Sequence, residues 1–399
     1  MEAFDLDHAA TTAVDPRVLE EMLPYFRENY GNPSALYGMS DVTREAIALA
    51  RSRIAKCIGA KPEEIYFTAG GSEADNWAWK GLYFRFLSDT KKDGGDRRQA
   101  RFITGMTEHH AILHTAQFLE MQGAHVTYLP VDEQGHISLR QLEAEIDGDT
   151  LLVSLMAANN EIGTLAPLGT IGKLARKHNV LFHTDAVQAL GQIPLHVRSM
   201  NIDMLSASAH KLGGPKGTGF LFVREGILLE NLIHGGGQEG GMRSGTENTA
   251  GIVGMGKACE LACQSMELRR RKCTAAREYM IFRIMDEIPF ARINGDRKMR
   301  LPGNISVTFQ FVSGNALLSM LDAEGIYAST GSACNAASGS VSHVLDAIHL
   351  PRELAAGTLR FTIGDSLTRD DIDKIVAKLK NAVAYLRKEN EEYHKCCGQ

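Results

Sequence analysis

The chain has 399 residues, of which 44% are hydrophobic and 23% charged, and its formal net charge is −5. This composition is ordinary for a globular protein, and the absence of a long basic run argues against direct binding of nucleic acid. The seven cysteines follow no zinc-binding spacing, so we expect reduced thiols and no metal site. We predict a cytoplasmic protein without a membrane contact, because the sequence has neither an apolar signal segment nor a run long enough to span a membrane.

Helical and strand patterns alternate along the first 250 residues. Asp15 and Pro16 begin an apolar stripe with helical spacing, which ends at the turn signals of residues 31–34. We predict strands, separated by helical segments, near residues 65–68, 102–103, 125–128, 151–154 and 180–183. This alternation predicts an α/β fold with a mostly parallel sheet and helices on both of its faces.

The pattern changes after about residue 250. A long helical segment covers residues 251–288, and the remainder mixes two apolar strands, near 305–309 and 359–363, with amphipathic helices. We therefore predict a large domain at 15–250 and a smaller α+β domain made of 1–14 and 251–399.

The segment from Ser206 to Lys211 combines hydroxyls, an imidazole and an amine at the end of a predicted strand, which is where open α/β sheets bind their ligands. A lysine in this position can form a Schiff base with a carbonyl cofactor, and the neighbouring donors can hold a phosphate. Taken alone, such a lysine is more often a solvated charge.

A second strand end, at Gly70, Gly71 and Ser72, runs directly into a predicted helix. The backbone N–H groups and the dipole of a helix N-terminus attract anions, although many such turns have only a structural role. No dinucleotide-binding or NTP-binding glycine motif occurs in the chain.

Three further strand ends carry groups that suit an aromatic cofactor. Asp185 ends a buried strand, and a protonated pyridine nitrogen would be a partner for its carboxylate; the alternative is a helix cap. Gln188 and Asn160 could hydrogen-bond a ring substituent, with a turn as the alternative for Asn160. His109 could stack on a ring and move protons, or could be a cap or surface residue.

In this order and spacing, the motifs resemble the class V aminotransferase group, and more closely the cysteine desulfurases of the NifS/IscS kind. The resemblance covers nearly the whole chain and rests on the segments LDHAATT, GNPSA, FTAGGSEADN, TEHHAIL, MAANNEIG, HTDAVQALG, SASAHKLGGPKG, GGGQEGGMRSGTEN, STGSACNAAS and LRFTIG. It implies the fold type I of pyridoxal 5′-phosphate (PLP)-dependent transferases. In that fold, a seven-stranded, mostly parallel sheet with flanking helices forms the large domain, and the small domain carries a cysteine loop.

The resemblance also implies a role for each matching residue around the PLP ring. Lys211 would hold the cofactor as a Schiff base, and Asp185 would pair with the pyridinium nitrogen. Gln188 and Asn160 would face the ring hydroxyl, and His109 would stack over the ring.

The remaining implied contacts concern the phosphate and the substrate. Gly71, Ser72, Ser208 and His210 belong to the cofactor site, with the last three on the phosphate. Thr246 would reach the phosphate of the other subunit, which implies a homodimer. Arg360 would hold the substrate carboxylate, with Asn32 nearby.

Cys334 would carry the step that distinguishes a desulfurase. A free thiol has a pKa of about 8.5, so the site must activate it, for example by proton transfer to His109. The thiolate would attack the sulfur of PLP-bound L-cysteine, release L-alanine and keep a persulfide for an acceptor protein, in iron–sulfur cluster or thio-cofactor or tRNA biosynthesis. The alternative for Cys334 alone is an ordinary loop thiol.

Other functions remain open on the sequence. A selenocysteine lyase, or another class V lyase or aminotransferase, would share the cofactor residues, and a non-catalytic scaffold is a third alternative. Gly240, Tyr37 and Val341 depart from the usual family residues (arginine, histidine and proline) without removing a catalytic group. For the adjacent Cys396 and Cys397, a frayed tail is favoured over a sulfur relay.

Overall fold

The structure is a computed structural model that describes residues 3–92, 99–330 and 342–397. The strands are β1 (Phe4–Asp5), β2 (Ile65–Thr68), β3 (Arg101–Gly105), β4 (His125–Leu129), β5 (Thr150–Ser154), β6 (Leu181–Asp185), β7 (Met204–Ser208), β8 (Gly219–Val223), β9 (Ala291–Ile293), β10 (Asn304–Phe309), β11 (Ile326–Tyr327) and β12 (Thr358–Thr362). Over the residues described, no helix has both the length and the hydropathy needed to cross a membrane.

The helices connect these strands and cover their faces. They are α1 (Pro16–Met22), α2 (Pro24–Arg27), α3 (Met39–Ile58), α4 (Gly71–Lys92), α5 (His110–Met121), α6 (Leu139–Glu145), α7 (Leu168–Lys177), α8 (Thr249–Glu287), α9 (Gly314–Ala323), α10 (His343–Ala347), α11 (Arg352–Ala355), α12 (Arg369–Lys388) and α13 (Glu391–Cys397).

A seven-stranded sheet in the order β2-β8-β7-β6-β5-β3-β4 forms the centre of the molecule. The strands from β3 to β7 pair in parallel, and β8 is antiparallel to both of its neighbours. Consecutive residues of one strand enter different hydrophobic clusters: Phe102 packs on one face of the sheet and Ile103 on the other. The expected seven-stranded, mostly parallel sheet with helices on both faces is confirmed.

A smaller antiparallel sheet, β12-β10-β9, forms a second core with α9 and α12. Helix α8 has 39 residues, a length of about 58 Å, and it contributes to both cores. Its first part places Met255 in the core of the large sheet, and its last part places Ile284 in the core of the small one. The division of the chain into a large domain at 15–250 and a small domain made of the remainder stays a prediction. Helix α8 begins near that boundary, and its residues contribute to the cores of both sheets.

The N-terminal segment crosses from the small sheet to the large one. Strand β1 pairs in parallel with β11, and Asp7 forms a β-bridge with Thr362 at the end of β12. The segment then reaches the turn after β7, where the Thr12 N–H donates to the His210 carbonyl at 2.9 Å. The N-terminal segment thus lies against Thr362 of the small sheet at one point and against His210, after a strand of the large sheet, at another.

Two glycines of α7 provide a test of the packing. A Cβ on Gly172 would lie 1.9 Å from the Met200 carbonyl oxygen, whereas a Cβ on Gly169 would meet nothing within 4 Å. Gly172→Ala should therefore destabilise the protein by about 2 kcal/mol or more, while Gly169→Ala should be neutral or stabilise it by up to about 1 kcal/mol. Urea denaturation measures both, and equal effects of the two substitutions would contradict the packing of α7.

Candidate active site

A cavity of about 320 Å³ lies at the edge of the large sheet where β2, β6 and β7 end. All ten of the following sequence-predicted residues line it: Gly71, Ser72, His109, Asn160, Asp185, Gln188, Ser208, His210, Lys211 and Arg360. They come from many separate segments, and they meet because parallel strands place their carboxyl ends at one edge.

Lys211 follows β7, whose residues are all buried, in a short 3₁₀ turn that aims the side chain into the cavity. Its Nζ donates to the carbonyl oxygens of Ala9 and Ala10, at 2.5 and 2.8 Å. The amine is therefore held by the N-terminal segment instead of lying free in solvent.

Asp185 ends β6 and is only 6% exposed. Its Oδ1 accepts from the Val187 N–H at 2.8 Å. Burial raises the pKa of the Asp185 carboxyl, while nearby His109 and Lys211 act in the opposite direction. The strand-end aspartate thus accepts a backbone N–H within a turn and also lines the cavity. The helix-cap alternative is wrong, because no helix lies between β6 and β7.

Two more carboxyls, Asp75 and Glu108, are buried beside Asp185, and burial raises the pKa of each. Each also has one buried oxygen without a hydrogen-bond partner, Asp75 Oδ1 and Glu108 Oε2. Asp75 and Asp185 line the cavity, whereas Glu108 lines a separate smaller one. Two buried acids in the cavity wall fit a bound group that brings a proton or positive charge, such as a protonated pyridine. Neither Asp75 nor Glu108 was predicted from the sequence; for Asp75, the spacing of four residues from Gly71 was an available signal.

His109 caps α5, because its Nδ1 accepts from the Ala111 N–H at 3.1 Å. Burial lowers the pKa of His109, so the ring is neutral near pH 7. His109 is therefore both the N-cap of α5 and a residue of the cavity wall. His110 and His343 also line the cavity, with ring centroids 4.7 Å apart, and the sequence analysis did not single them out.

One end of the cavity has the donors that a phosphate requires. The N-terminus of α4 lies there with Ser72, Ser208 and His210. Burial and the neighbouring Lys211 lower the pKa of His210 to about 4, so it acts as a neutral hydrogen-bonding group. A Cβ on Gly71 would lie 2.5 Å from Val187 Cγ2, which explains the glycine at this close approach.

The side-chain amides of Gln188 and Asn160 differ in their contacts. Gln188 Nε2 donates to the Ala9 carbonyl at 3.0 Å, and Asn160 lines the cavity. The expected turn belongs to Asn159, whose Oδ1 accepts from the Glu161 and Ile162 N–H groups at 2.9 Å each.

Arg360 lies on β12 of the small sheet, is 3% exposed and lines the cavity. Its guanidinium donates to Asp7 Oδ1 at 2.7 Å and to the Asn160 carbonyl at 3.2 Å. The small sheet therefore contributes a buried guanidinium to a cavity whose other lining residues come mainly from the large sheet.

Two predicted residues of the described chain, Asn32 and Thr246, do not line this cavity. Asn32 is exposed, and its Oδ1 accepts from the Ser34 N–H. Thr246 lines a separate cavity of about 180 Å³ together with Arg243. Cys334 and Val341 lie outside the described residues. The roles of Asn32, Thr246 and Cys334 stay predictions.

The residues present fit PLP. The cavity offers an amine for the aldehyde carbon, a buried carboxyl for the ring nitrogen, a flat neutral imidazole, and hydroxyl and backbone donors for the phosphate. The unpartnered Oδ1 of Asp75, which lines the cavity, supports the same conclusion, because an apolar ligand would leave it without a donor.

Comparisons with known proteins agree with this geometry. The family model described as aminotransferase class-V matches residues 5–375. The chain is 51% identical over 384 residues to the cysteine desulfurase IscS of Clostridium botulinum, which covers 96% of this chain and 94% of the relative.

Solved structures show the same similarity. A NifS-like protein is 37% identical with a TM-score of 0.89, covering 96% of this chain and 100% of the other. A structure described as SspA in complex with cysteine is 38% identical with a TM-score of 0.79, covering 91% and 99%. The chain belongs to the aminotransferase class-V family of PLP-dependent enzymes.

Proposed function

We propose that this chain is a PLP-dependent cysteine desulfurase that converts L-cysteine to L-alanine and takes the sulfur onto Cys334 as a persulfide. The observation that carries the proposal is one cavity in which Lys211, Asp185 and Arg360 meet. The names of the relatives agree with it, since one is a cysteine desulfurase and one structure is described with cysteine bound.

Lys211, Asp185 and His109 would each have a separate role around the cofactor. When bound, PLP supplies an electron-withdrawing ring that makes the substrate α-carbon acidic. Lys211 would hold the aldehyde carbon of the cofactor, and its amine would be the group that moves a proton at the substrate α-carbon. Asp185 would hold the proton of the ring nitrogen. Neutral His109, whose Nδ1 accepts from the Ala111 N–H, would carry its hydrogen on Nε2 and would stack over the ring as a hydrogen-bond donor.

Arg360 suits the substrate carboxylate, because a guanidinium binds a carboxylate through two parallel N–H bonds. Because it lines the same cavity as Lys211, it would hold an amino acid whose amine replaces that of the lysine. Asn32 is proposed to assist it.

The segment that contains Cys334 starts and ends at the cavity wall. At its start, Ser329 and Arg360 exchange backbone hydrogen bonds at 3.1 and 2.6 Å. At its end, Ser342 bonds Glu161, and His343 Nε2 lies 2.9 Å from the Glu108 carbonyl. Cys334 is four positions after Thr330 in the sequence, a chain length of at most about 14 Å, which supports its assignment as the nucleophile.

The proposed overall reaction balances without an external oxidant. The Cβ–S bond of cysteine breaks and an S–S bond forms to Cys334. The thiol proton of Cys334 is matched by the proton gained at Cβ, so alanine and an enzyme persulfide are the products.

A homodimer and a sulfur-accepting protein complete the proposal. Several large apolar side chains close together in the sequence are exposed, among them Leu23 between α1 and α2 at 53%, Phe26 on α2 at 59% and Leu36 in the following loop at 99%. Such exposed apolar side chains support a subunit interface, in which Thr246 would reach the partner's phosphate. The sulfur would pass to a protein of iron–sulfur cluster, thio-cofactor or tRNA biosynthesis.

Replacing Asp185 by Asn tests the cofactor assignment. The variant loses the charged partner of the ring nitrogen, so its dissociation constant for PLP should rise by about 10- to 100-fold. Titration of the apo-protein with PLP, followed by absorbance, measures this. Asp286→Asn, an exposed position on α8, is the matched control and should bind PLP as the unaltered protein does; equal affinities for all three proteins would refute the role of Asp185.

Replacing Cys334 by Ser tests the nucleophile. The variant should keep the cofactor absorbance but form alanine from cysteine at least about 100-fold more slowly, since a hydroxyl is a far weaker nucleophile than a thiolate at neutral pH. Cys263→Ser, on α8 and partly buried, should retain full activity. Normal alanine formation by Cys334→Ser would show that another group takes the sulfur.

A further inference from the structure

Asp7 contacts the arginine assigned to the substrate carboxylate, although it does not line the cavity itself. We propose that Asp7 is a positioning residue that fixes the Arg360 guanidinium and thereby sets the preference for substrates with an α-carboxylate. This inference rests on the proposed function, because it assumes the role given to Arg360.

The contact between the two side chains is direct and largely shielded from water. Arg360 NH2 lies 2.7 Å from Asp7 Oδ1, and the two side chains are 3% and 20% exposed. Burying a guanidinium without a partner is costly, so a carboxylate at this distance stabilises the position of Arg360 inside the cavity wall.

Asp7 is itself held in place by the strand that carries Arg360. It forms a β-bridge with Thr362, two residues after Arg360 and therefore on the same side of β12. The Ala9 N–H donates to Thr362 Oγ1 at 2.8 Å, and the Thr362 N–H donates to the Leu6 carbonyl at 2.6 Å. The carboxylate and guanidinium thus share one rigid frame.

Glu161 is a second acid near Arg360, but it does not position the Arg360 guanidinium. Glu161 interacts electrostatically with Arg360, but burial raises the pKa of its carboxyl, and Ser342 Oγ donates to its Oε2. The Asn160 carbonyl holds the other terminal nitrogen of Arg360 at 3.2 Å. Asp7 and Asn160 together therefore set the plane of the guanidinium.

The plane matters because a carboxylate must meet two N–H bonds at once. A small rotation of Arg360 would spoil that geometry while leaving the amine and thiol of the substrate unaffected. Loss of Asp7 should consequently weaken ligands that carry a carboxylate and spare those that lack one.

Two amine ligands separate this role from a general structural one. L-alanine carries the carboxylate, and cysteamine lacks it; the dissociation constant of each for the PLP-loaded protein is obtained from the change in cofactor absorbance. Asp7→Asn should raise the constant for L-alanine about tenfold and leave that for cysteamine within about twofold. Asp7→Glu, which keeps the charge, should lose less affinity for L-alanine than Asp7→Asn.

Two further variants complete the test. Asp365→Asn, an exposed position just beyond β12, should change neither constant. Arg360→Ala should raise the constant for L-alanine at least as much as Asp7→Asn; if it does not, the assigned role of Arg360 fails, and with it that part of the proposed function. Suppose that Arg360→Ala raises the dissociation constant for L-alanine as expected. Asp7 then does not position Arg360 if Asp7→Asn leaves the constants for L-alanine and cysteamine unchanged, or raises both by the same factor. Cysteamine binding by each variant verifies that its site is folded and loaded.

Discussion

The burial of Asp185 beside the amine of Lys211 is the interaction on which the whole site depends. A carboxylate at the end of a central strand, with Asp75 and Glu108 also buried next to it, is costly unless a proton or positive charge is supplied. In the proposed site, the lysine amine and a protonated pyridine nitrogen of PLP would together supply it. The large sheet is what makes the arrangement rigid, because its parallel strands deliver these groups to one edge.

The N-terminal segment joins this charged centre to the small sheet. Its carbonyls at Ala9 and Ala10 accept from Lys211, Thr11 Oγ1 lies 3.1 Å from His210 Nδ1, and Asp7 pairs with Arg360. Residues from the first twelve positions therefore contact both the proposed cofactor amine and the proposed substrate guanidinium. This explains why a short polar segment, which looks like an ordinary loop in the sequence, is an integral part of the cavity.

Sequence patterns predicted the large sheet because its strands are buried on both faces and stand out as short apolar runs such as those of β5, β7 and β8. Strand-end patterns likewise indicated nine residues of the cavity, and the tenth, Arg360, followed only from the resemblance to a known family. The contacts of Asp7, Asp75 and Glu108 were missed, because each depends on a partner far away in the sequence, 353 residues in the case of Asp7 and Arg360. The dual role of His109 as helix cap and cavity residue also needed the three-dimensional structure, since its sequence context fits both roles.

Chemical labelling of the lysine tests the central claim most directly. The PLP-loaded protein is reduced with borohydride, which makes the link between PLP and an amine permanent, and is then digested and mapped by mass spectrometry. Lys211 should carry the label, and Lys216, which lies five residues further along the same loop, should remain unmodified. A label on another lysine, or no label at all, would contradict the account.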